Sequence, residues 1–492
     1  MTETAKKKRG MPSSFTILLA LLAIVAVITV IVSGTSGGAV TAARLSDFCT
    51  APILGFADAL PVCLFVMILG GFLGMMTETG ALDNGIAVLV QKLKGNEIML
   101  IPVLMLIFSL GGTTYGMCEE TVPFYALLAA TMMAAGFDPM VGAATVLLGA
   151  GCGCLGSTVN PFAVGAAVDA LTGVDIAVNQ SIIIGLGAVL WIVTTAMSIV
   201  FVMNYAKKVK ADKGSTILSM QELKAAEEAH GKAASEVHKE VKLTGRQKGV
   251  LIAFAFTFVV MIVGFIPLAD LNEGVANFFD AGAVYDADGN AVVQGWSALI
   301  TGLPIGQWYF DEASTWFFLM AILIGIIGGL SEKQIVNTFI TGAADMMSVV
   351  LVIALARGIS VLMANTGLDV YVLDAAANAL AGLSGVIFAP MSFLVYFGLS
   401  FLIPSTSGMA TVSMPIMGPL AVKLGFSPEV MVMIFSAAIG VVNLFTPTSG
   451  AIMGGLALAK IEWTTWLKFA LKLIVALSVV CAVILTVACV LL

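Results

Sequence analysis

The stretch Gly111-Gly112-Thr113-Thr114-Tyr115-Gly116-Met117-Cys118-Glu119-Glu120-Thr121-Val122-Pro123-Phe124 decides how the rest of the chain is read. It sets two adjacent carboxylates among glycines and hydroxyls, between apolar runs over 98–110 and 122–135. At about 1.5 Å of rise per residue, runs of about 13 residues cannot cross a hydrocarbon core of about 30 Å. The pair is therefore expected to enter and leave on one side, as a re-entrant hairpin with a polar, glycine-rich turn at its tip. Burying carboxylates in such surroundings costs kilocalories, which makes the tip a functional-site hypothesis from the start.

Composition supplies the setting for that hairpin. Of 492 residues, 59% are hydrophobic and 11% charged, and uninterrupted apolar runs of about 20 residues recur, as in a polytopic helical membrane protein. A membrane barrel would instead show short alternating segments. The net charge of -7 sits in loops, so the lipid bilayer and not nucleic acid is the expected macroscopic partner. Seven scattered cysteines include Cys152 and Cys154, whose spacing lacks the companions of a metal site. They read as small buried apolar residues. Both histidines, His230 and His238, fall in a charged segment, which removes imidazole chemistry from the membrane interior. No nucleotide-binding loop, voltage-sensor-like arginine row or metal-ligand cluster is present, and the paired carboxylates have no accompanying nucleophile. An enzyme is not expected, nor any cofactor beyond Na+ or H+ as a coupling ion.

Taken in order, Lys6, Lys7, Lys8 and Arg9 precede an apolar run too long for a cleaved signal peptide, so the N-terminus is expected in the cytoplasm. A second run near 58–78 returns inside, where Lys92 and Lys94 mark a cytoplasmic segment. The first membrane repeat is read as 1–204, with its hairpin at about 98–135 and a broken helix at about 141–171 interrupted over Gly151–Pro161. Residues 205–248 carry ten Lys or Arg and read as a cytoplasmic linker whose middle, 220–241, forms a solvated helix. A connecting span over 249–269 leads to an external loop, 270–313, with seven acids and no Lys or Arg. The second repeat occupies 314–492, with a hairpin at about 386–424 and a broken helix at about 428–460.

The repeat is visible at residue level. Thr114-Tyr115-Gly116-Met117 followed by Pro123 matches Thr406-Ser407-Gly408-Met409 followed by Pro415 at equal spacing, and Gly136-Phe137-Asp138-Pro139 matches Gly425-Phe426-Ser427-Pro428. Ser157 to Pro161 then falls opposite Thr446 to Gly450. Three ordered coincidences, each at a helix break, argue for internal duplication. Counting spans delivers the two hairpins to opposite sides, so the repeats are inverted. The expected fold is an all-α polytopic membrane protein with about nine full spans and four polar breaks near the midplane. That is the architecture of a secondary transporter.

The hairpin motif, together with G-S-T-V-N-P-F at 156–162, P-S-T-S-G-M-A-T-V-S-M-P at 404–415 and N-L-F-T-P-T-S-G at 443–450, resembles the YfcC-type transporters of the C4-dicarboxylate anaerobic carrier family. The similarity runs over essentially the whole chain. It implies a bacterial inner-membrane carrier, commonly homodimeric, with a scaffold region and a moving region that travels in an elevator-like manner, coupled to sodium or protons in many relatives. Because relatives are assigned both to dicarboxylates and to amino acids of the arginine/ornithine type, the resemblance leaves the substrate open.

Residue chemistry favours the second class. A dicarboxylate site wants hydroxyls, amides and a cation. Here the tip carries Glu119 and Glu120, where the equivalent second-half positions are Thr411 and Val412. Unmatched carboxylates suit a cationic substrate group, a proton or sodium, with Glu119 the one expected to face the site. The alternative is that one or both cap the second arm, where acids near a helix N-terminus are favourable. The expected substrate site comprises Thr113, Thr114, Glu119, Glu120, Ser157, Thr158, Asn160, Ser405, Thr406, Ser407, Thr446, Thr448 and Ser449. Coupling-ion candidates are Glu119, Gly156, Asn160, Ser407 and Asn443. Arg357, within a span, is a candidate partner for a substrate carboxylate or for Glu119, or pairs between scaffold helices. Asp169 and Asp345, nearer span ends, read as interfacial.

Overall fold

A computed structural model describes residues 14–492 except 83, 86–87, 89–95, 237–241, 267, 272, 287–290 and 404. The basic residues at 6–9, Lys92, Lys94, His238 and Pro404 lie outside the described residues. The chain is helical almost throughout. Its helices include α1 Ser14–Ser33, α2 Leu45–Asp58, α3 Leu60–Glu78, α4 Leu100–Tyr115, α5 Val122–Ala134, α6 Pro139–Leu155, α7 Ala166–Thr172, α8 Gln180–Ala211 and α9 Met220–Glu236. The second half follows with α10 Gly245–Phe265, α11 Phe310–Gly328, α12 Glu332–Asp345, α13 Met347–Thr366, α14 Leu368–Leu380, α15 Gly385–Leu402, α16 Thr406–Lys423, α17 Pro428–Val442, α18 Gly450–Leu458 and α19 Trp463–Leu491. Val284–Tyr285 and Ala291–Val293 pair as a short exposed antiparallel ribbon in the loop after α10.

Among the described residues, eight helices are long and apolar enough to cross a membrane. Seven are ordinary spans, and the eighth, Glu97–Tyr115, is the first arm of the first hairpin with its 3-10 lead-in. This corrects the expectation that the arm stops at Leu110. Gly111 and Gly112 continue the helix because they serve close packing and not a turn. A Cβ on Gly112 would lie 2.2 Å from the Ala150 carbonyl oxygen, and one on Gly153 would lie 2.1 Å from that of Ser109. Small residues let α4 and α6 approach backbone to backbone, the interface that membrane helices favour in the absence of a hydrophobic driving force. The turn itself is shorter, and Gly116 makes it possible by taking a left-handed conformation at φ 79°.

The same correction applies to the first broken helix. It is helical through Gly151 and Gly153, and the break is confined to 156–160 before a π-helical turn over Pro161–Gly165. The second breaks between Val442 and Gly450. Equivalent residues cap the two broken helices: Asp138 and Ser427 accept from the amides of Val141 and Val430, and Asn160 and Ser449 from those of Phe162 and Ile452. Where α6 crosses α17, a Cβ on Gly151 would meet Leu444, and one on the equivalent Gly440 would meet the equivalent Leu155. The crossing is thus self-complementary about a pseudo-two-fold axis. Each hairpin's second arm packs on the other repeat's broken helix, α5 on α18 and α16 on α7. The T-x-G-M frame, by contrast, does not occupy one structural place. Gly116 ends an arm, whereas Gly408 lies inside α16, whose start is set earlier by Ser405 accepting from the Gly408 amide at 3.1 Å.

Two groups of helices result. The hairpins and broken helices gather with α8 and α19, while α2, α3, α11, α12 and α13 pack on one another with α1 and α10 at their edges. The groups meet where α13 lies on α18. Gly450 there faces Ile353 and Gly454 faces Val349.

The linker helix α9 departs from the solvated helix read from sequence. Glu222, Ala226 and His230 recur every fourth residue and are buried, so one stripe faces the body. Glu222 accepts from the Glu462 amide at 2.9 Å, and the His230 ring bonds the Leu458 carbonyl at 3.1 Å. Burial and the Lys460 charge lower the His230 pKa, against the bond to Leu458. Ahead of α9, Asp138 accepts from the hydroxyls of Tyr205 and Thr216, each at 2.6 Å. Burial raises the Asp138 carboxyl above its ordinary range despite those bonds.

Candidate functional site

Both breaks and both hairpin tips converge on a cavity of about 470 Å³, a volume in the range of small-molecule sites. The crossing helices contribute equivalent positions to its wall. Leu147, Ala150, Gly151 and Cys154 come from α6, and Ser436, Ile439 and Gly440 from α17 with Asn443 at its C-cap. Their helical spacing puts each set on one face, and the second set is the more polar. The other helix group closes the cavity with Asp58, Arg357, Tyr309 and Phe310.

The two glutamates divide. Glu120 is 1% exposed, and its carboxylate accepts the Cys118 amide at 2.9 Å. It caps the turn into the short 3-10 segment Glu119–Thr121 that starts the second arm. Glu119 is half-buried, lines the cavity and lies within electrostatic reach of Arg357.

The hydroxyls divide as well. Thr113 donates to the Gly156 carbonyl at 2.6 Å, and the Thr158 amide and hydroxyl both donate to the Thr113 carbonyl, at 2.9 and 3.0 Å. These bonds satisfy backbone groups that the break frees, as a membrane interior requires. In the second repeat, Trp466 and Trp463 perform that task by donating to the carbonyls of Leu444 and Phe445, at 2.9 and 2.7 Å. Thr114 bonds its own helix at Leu110, and Ser157 donates to the Cys154 carbonyl while accepting from the Asn160 amide group. Thr446 is buried against Thr448 at 2.7 Å. Thr113, Thr114, Ser157, Thr158, Thr446 and Gly156 therefore are not part of the wall, Gly156 being held against the Trp191 backbone.

In the wall are Glu119, Glu120, Asn160, Ser405, Thr406, Ser407, Asn443, Thr448, Ser449 and Arg357. Asn160 also backs the first tip, where a Cβ on Gly116 would lie 2.5 Å from its Oδ1. Sequence reasoning missed Asp58, at the end of α2, and Ser436, buried without a hydrogen-bond partner. Asp169, exposed in α7, also lines the cavity. The pseudo-symmetry held the signal for Ser436, because Ser436 stands opposite Leu147 in the repeat, a hydroxyl where the first half has an apolar side chain.

Comparison with known proteins gives the family. A protein of Haemophilus influenzae described as uncharacterized is 28% identical over 443 residues, which covers 90% of this chain and 78% of that one. Escherichia coli YfcC, described as a putative basic amino acid antiporter, is 27% identical over 440 residues, covering 87% and 77%. Two solved transporters align along nearly their full lengths at low similarity. Neisseria gonorrhoeae MtrF, described with a class of antimetabolite efflux pumps, has 17% identity and a TM-score of 0.45 over 98% of this chain and 96% of that one. Alcanivorax borkumensis YdaH has 15% identity and a TM-score of 0.47 over 96% and 97%. Residues 35–490 match the family described as DcuC, C4-dicarboxylate anaerobic carrier, and the chain, a polytopic membrane transporter of two inverted repeats, belongs to that family.

Proposed function

We propose that this protein is a secondary carrier that exchanges basic amino acids such as arginine and ornithine. The observation that carries this reading is the charge of the cavity wall. Four carboxylates, Asp58, Glu119, Glu120 and Asp169, line the cavity with one arginine, Arg357. With Glu120 occupied in capping, Glu119 is the tip carboxylate left to meet a cation. An acid excess in a partly desolvated wall attracts cationic solutes and repels dianions. The naming of the YfcC relative as a putative basic amino acid antiporter is in keeping with this charge balance.

The hairpin-bearing helix group is the moving body of an elevator and the group containing α13 its scaffold, supported by their meeting at a glycine-lined surface. Ten Lys or Arg in 205–248 support a cytoplasmic linker and hence a cytoplasmic N-terminus in a bacterial inner membrane. A homodimer remains part of the proposal by family resemblance. A second reading, a sodium- or proton-coupled C4-dicarboxylate carrier with Glu119 serving the ion, draws on Arg357 in the same wall. Glu119→Gln separates the two in proteoliposome counterflow. On the amino-acid reading, it lowers exchange of arginine and ornithine about 10- to 100-fold, the cost of a lost charge-assisted contact. Altered sodium or pH dependence with substrate choice retained would favour the second reading.

A further inference from the structure

Asp58 and Arg357 are set side by side by backbone packing. A Cβ on Gly55 would lie 2.3 Å from the Gly358 nitrogen, and one on Gly358 would lie 2.7 Å from the Ala51 oxygen, so α2 and α13 cross in direct backbone contact. Asp58 ends α2 shortly after Gly55, and Arg357 adjoins Gly358. The crossing positions the pair and does not depend on it. Arg357 Nε meets Asp58 Oδ2 at 3.0 Å, with the two side chains 25% and 52% exposed. A guanidinium that engages a carboxylate with its whole fork makes a bidentate contact. Here one nitrogen and one oxygen form an ion pair, and among the described residues neither side chain makes a hydrogen bond or a second ion pair. The rest of the fork and the other Asp58 oxygen belong to residues of the cavity wall.

We propose that Asp58 and Arg357 form the head-group subsite for an α-amino acid. The free edge of Arg357 receives the substrate α-carboxylate, the free oxygen of Asp58 receives the α-ammonium, and Glu119 receives the side-chain cation. This rests on the amino-acid reading of the cavity. Opposite charges one carbon apart in the solute match opposite charges in ion-pair contact, 3.0 Å apart, in the wall. A dicarboxylate leaves Asp58 without a cation, and a diamine leaves Arg357 without an anion, so each omission costs a charge-assisted pair. The subsite lies on the helix group that does not carry the hairpins, so the solute bridges both groups. It loses its head-group contacts when they separate, whereupon Asp58 and Arg357 neutralise each other.

The test is competition against radiolabelled arginine counterflow by the full-length protein in liposomes. The competitors are arginine, agmatine, which lacks the carboxylate, and Nα-acetylarginine, which lacks the ammonium. Wild type is expected to prefer arginine over both analogues by about 10- to 100-fold. Arg357→Gln should abolish the preference over agmatine alone, and Asp58→Asn the preference over Nα-acetylarginine alone. Equal weakening of all three competitors, or preferences unchanged, overturns the subsite while leaving the amino-acid reading intact. Failure of wild type to exchange any basic amino acid overturns both. A reversed pair, Asp58→Arg with Arg357→Asp, covers variants that fold poorly. If the pair is only a bolt, the swap restores arginine exchange. If it is the subsite, the protein folds and exchange stays lost.

Discussion

Glu119 and Glu120 are neighbours in sequence and do different work. Glu120 holds the Cys118 amide and is buried, so Glu120→Ala removes a cap. The expected loss is about 1 kcal/mol of stability, read as a lower midpoint of thermal unfolding in detergent. Glu119→Ala should leave that midpoint nearly unchanged while lowering arginine exchange, and a drop in stability equal to that of Glu120→Ala would contradict the division. The sequence placed both acids at a tip and left open which one caps. What it could not show is which hydroxyls are structural, because the partners of Thr113 and Thr158 are distant and a local backbone bond such as that of Thr114 is open to any helical hydroxyl. Thr113 bonds Gly156 across 43 positions, and nothing local in Gly-Gly-Thr-Thr distinguishes a hydroxyl that satisfies a broken backbone from one that meets a solute. Asp58 was illegible for a similar reason, since its neighbour Arg357 comes from the other half of the chain.

At the scale of elements, hydropathy and the duplicated motifs revealed hairpins and broken helices, while the extent of each break was misread. Glycine serves equally as a helix breaker and as a packing residue, and only the partner helix decides between them. The crossing of α6 and α17 makes that testable. A Cβ on Gly440 would lie 2.4 Å from the Leu155 Cα, a backbone atom, whereas one on Gly151 would meet the terminal Cδ2 of Leu444 at 2.2 Å. Gly440→Ala should therefore cost about 1–3 kcal/mol or more through forced backbone movement. Gly151→Ala should cost less, because a Leu rotamer can change, and unfolding midpoints of the two variants check the order. The linker helix provides a pH prediction. His230 docks neutral with a lowered pKa. Its contribution is therefore present above the ordinary histidine value of about 6.5 and lost as pH falls from there through the docked value. Hydrogen exchange of 220–230, corrected for intrinsic rate, should quicken between pH 7.5 and 5.5. The quickening should be absent in His230→Gln, which separates it from Asp138, whose raised carboxyl acts in the opposite sense.

For the whole molecule, the inverted duplication was legible because motif spacing survives divergence, and the pairing of α2 with α13 was not, because no motif marks it. Transport by relative motion of the two helix groups requires the α13–α18 surface to slide. An ideal Cβ on Gly454 lies 3.2 Å from that of Val349, close to disulfide range. In a background with the seven native cysteines replaced, Val349→Cys with Gly454→Cys should stop exchange on oxidation and restore it on reduction. Undiminished exchange in the oxidised, cross-linked protein would rule out that motion. The central claim, that an acid-rich cavity at the meeting of two inverted repeats carries a cationic amino acid, is tested most directly by counterflow in proteoliposomes. The liposomes are loaded in turn with arginine, ornithine, neutral amino acids, succinate and fumarate, with and without a sodium gradient. The account predicts rapid exchange of arginine and ornithine and none of the dicarboxylates. Exchange of succinate or fumarate with arginine, ornithine and neutral amino acids all inert would contradict it.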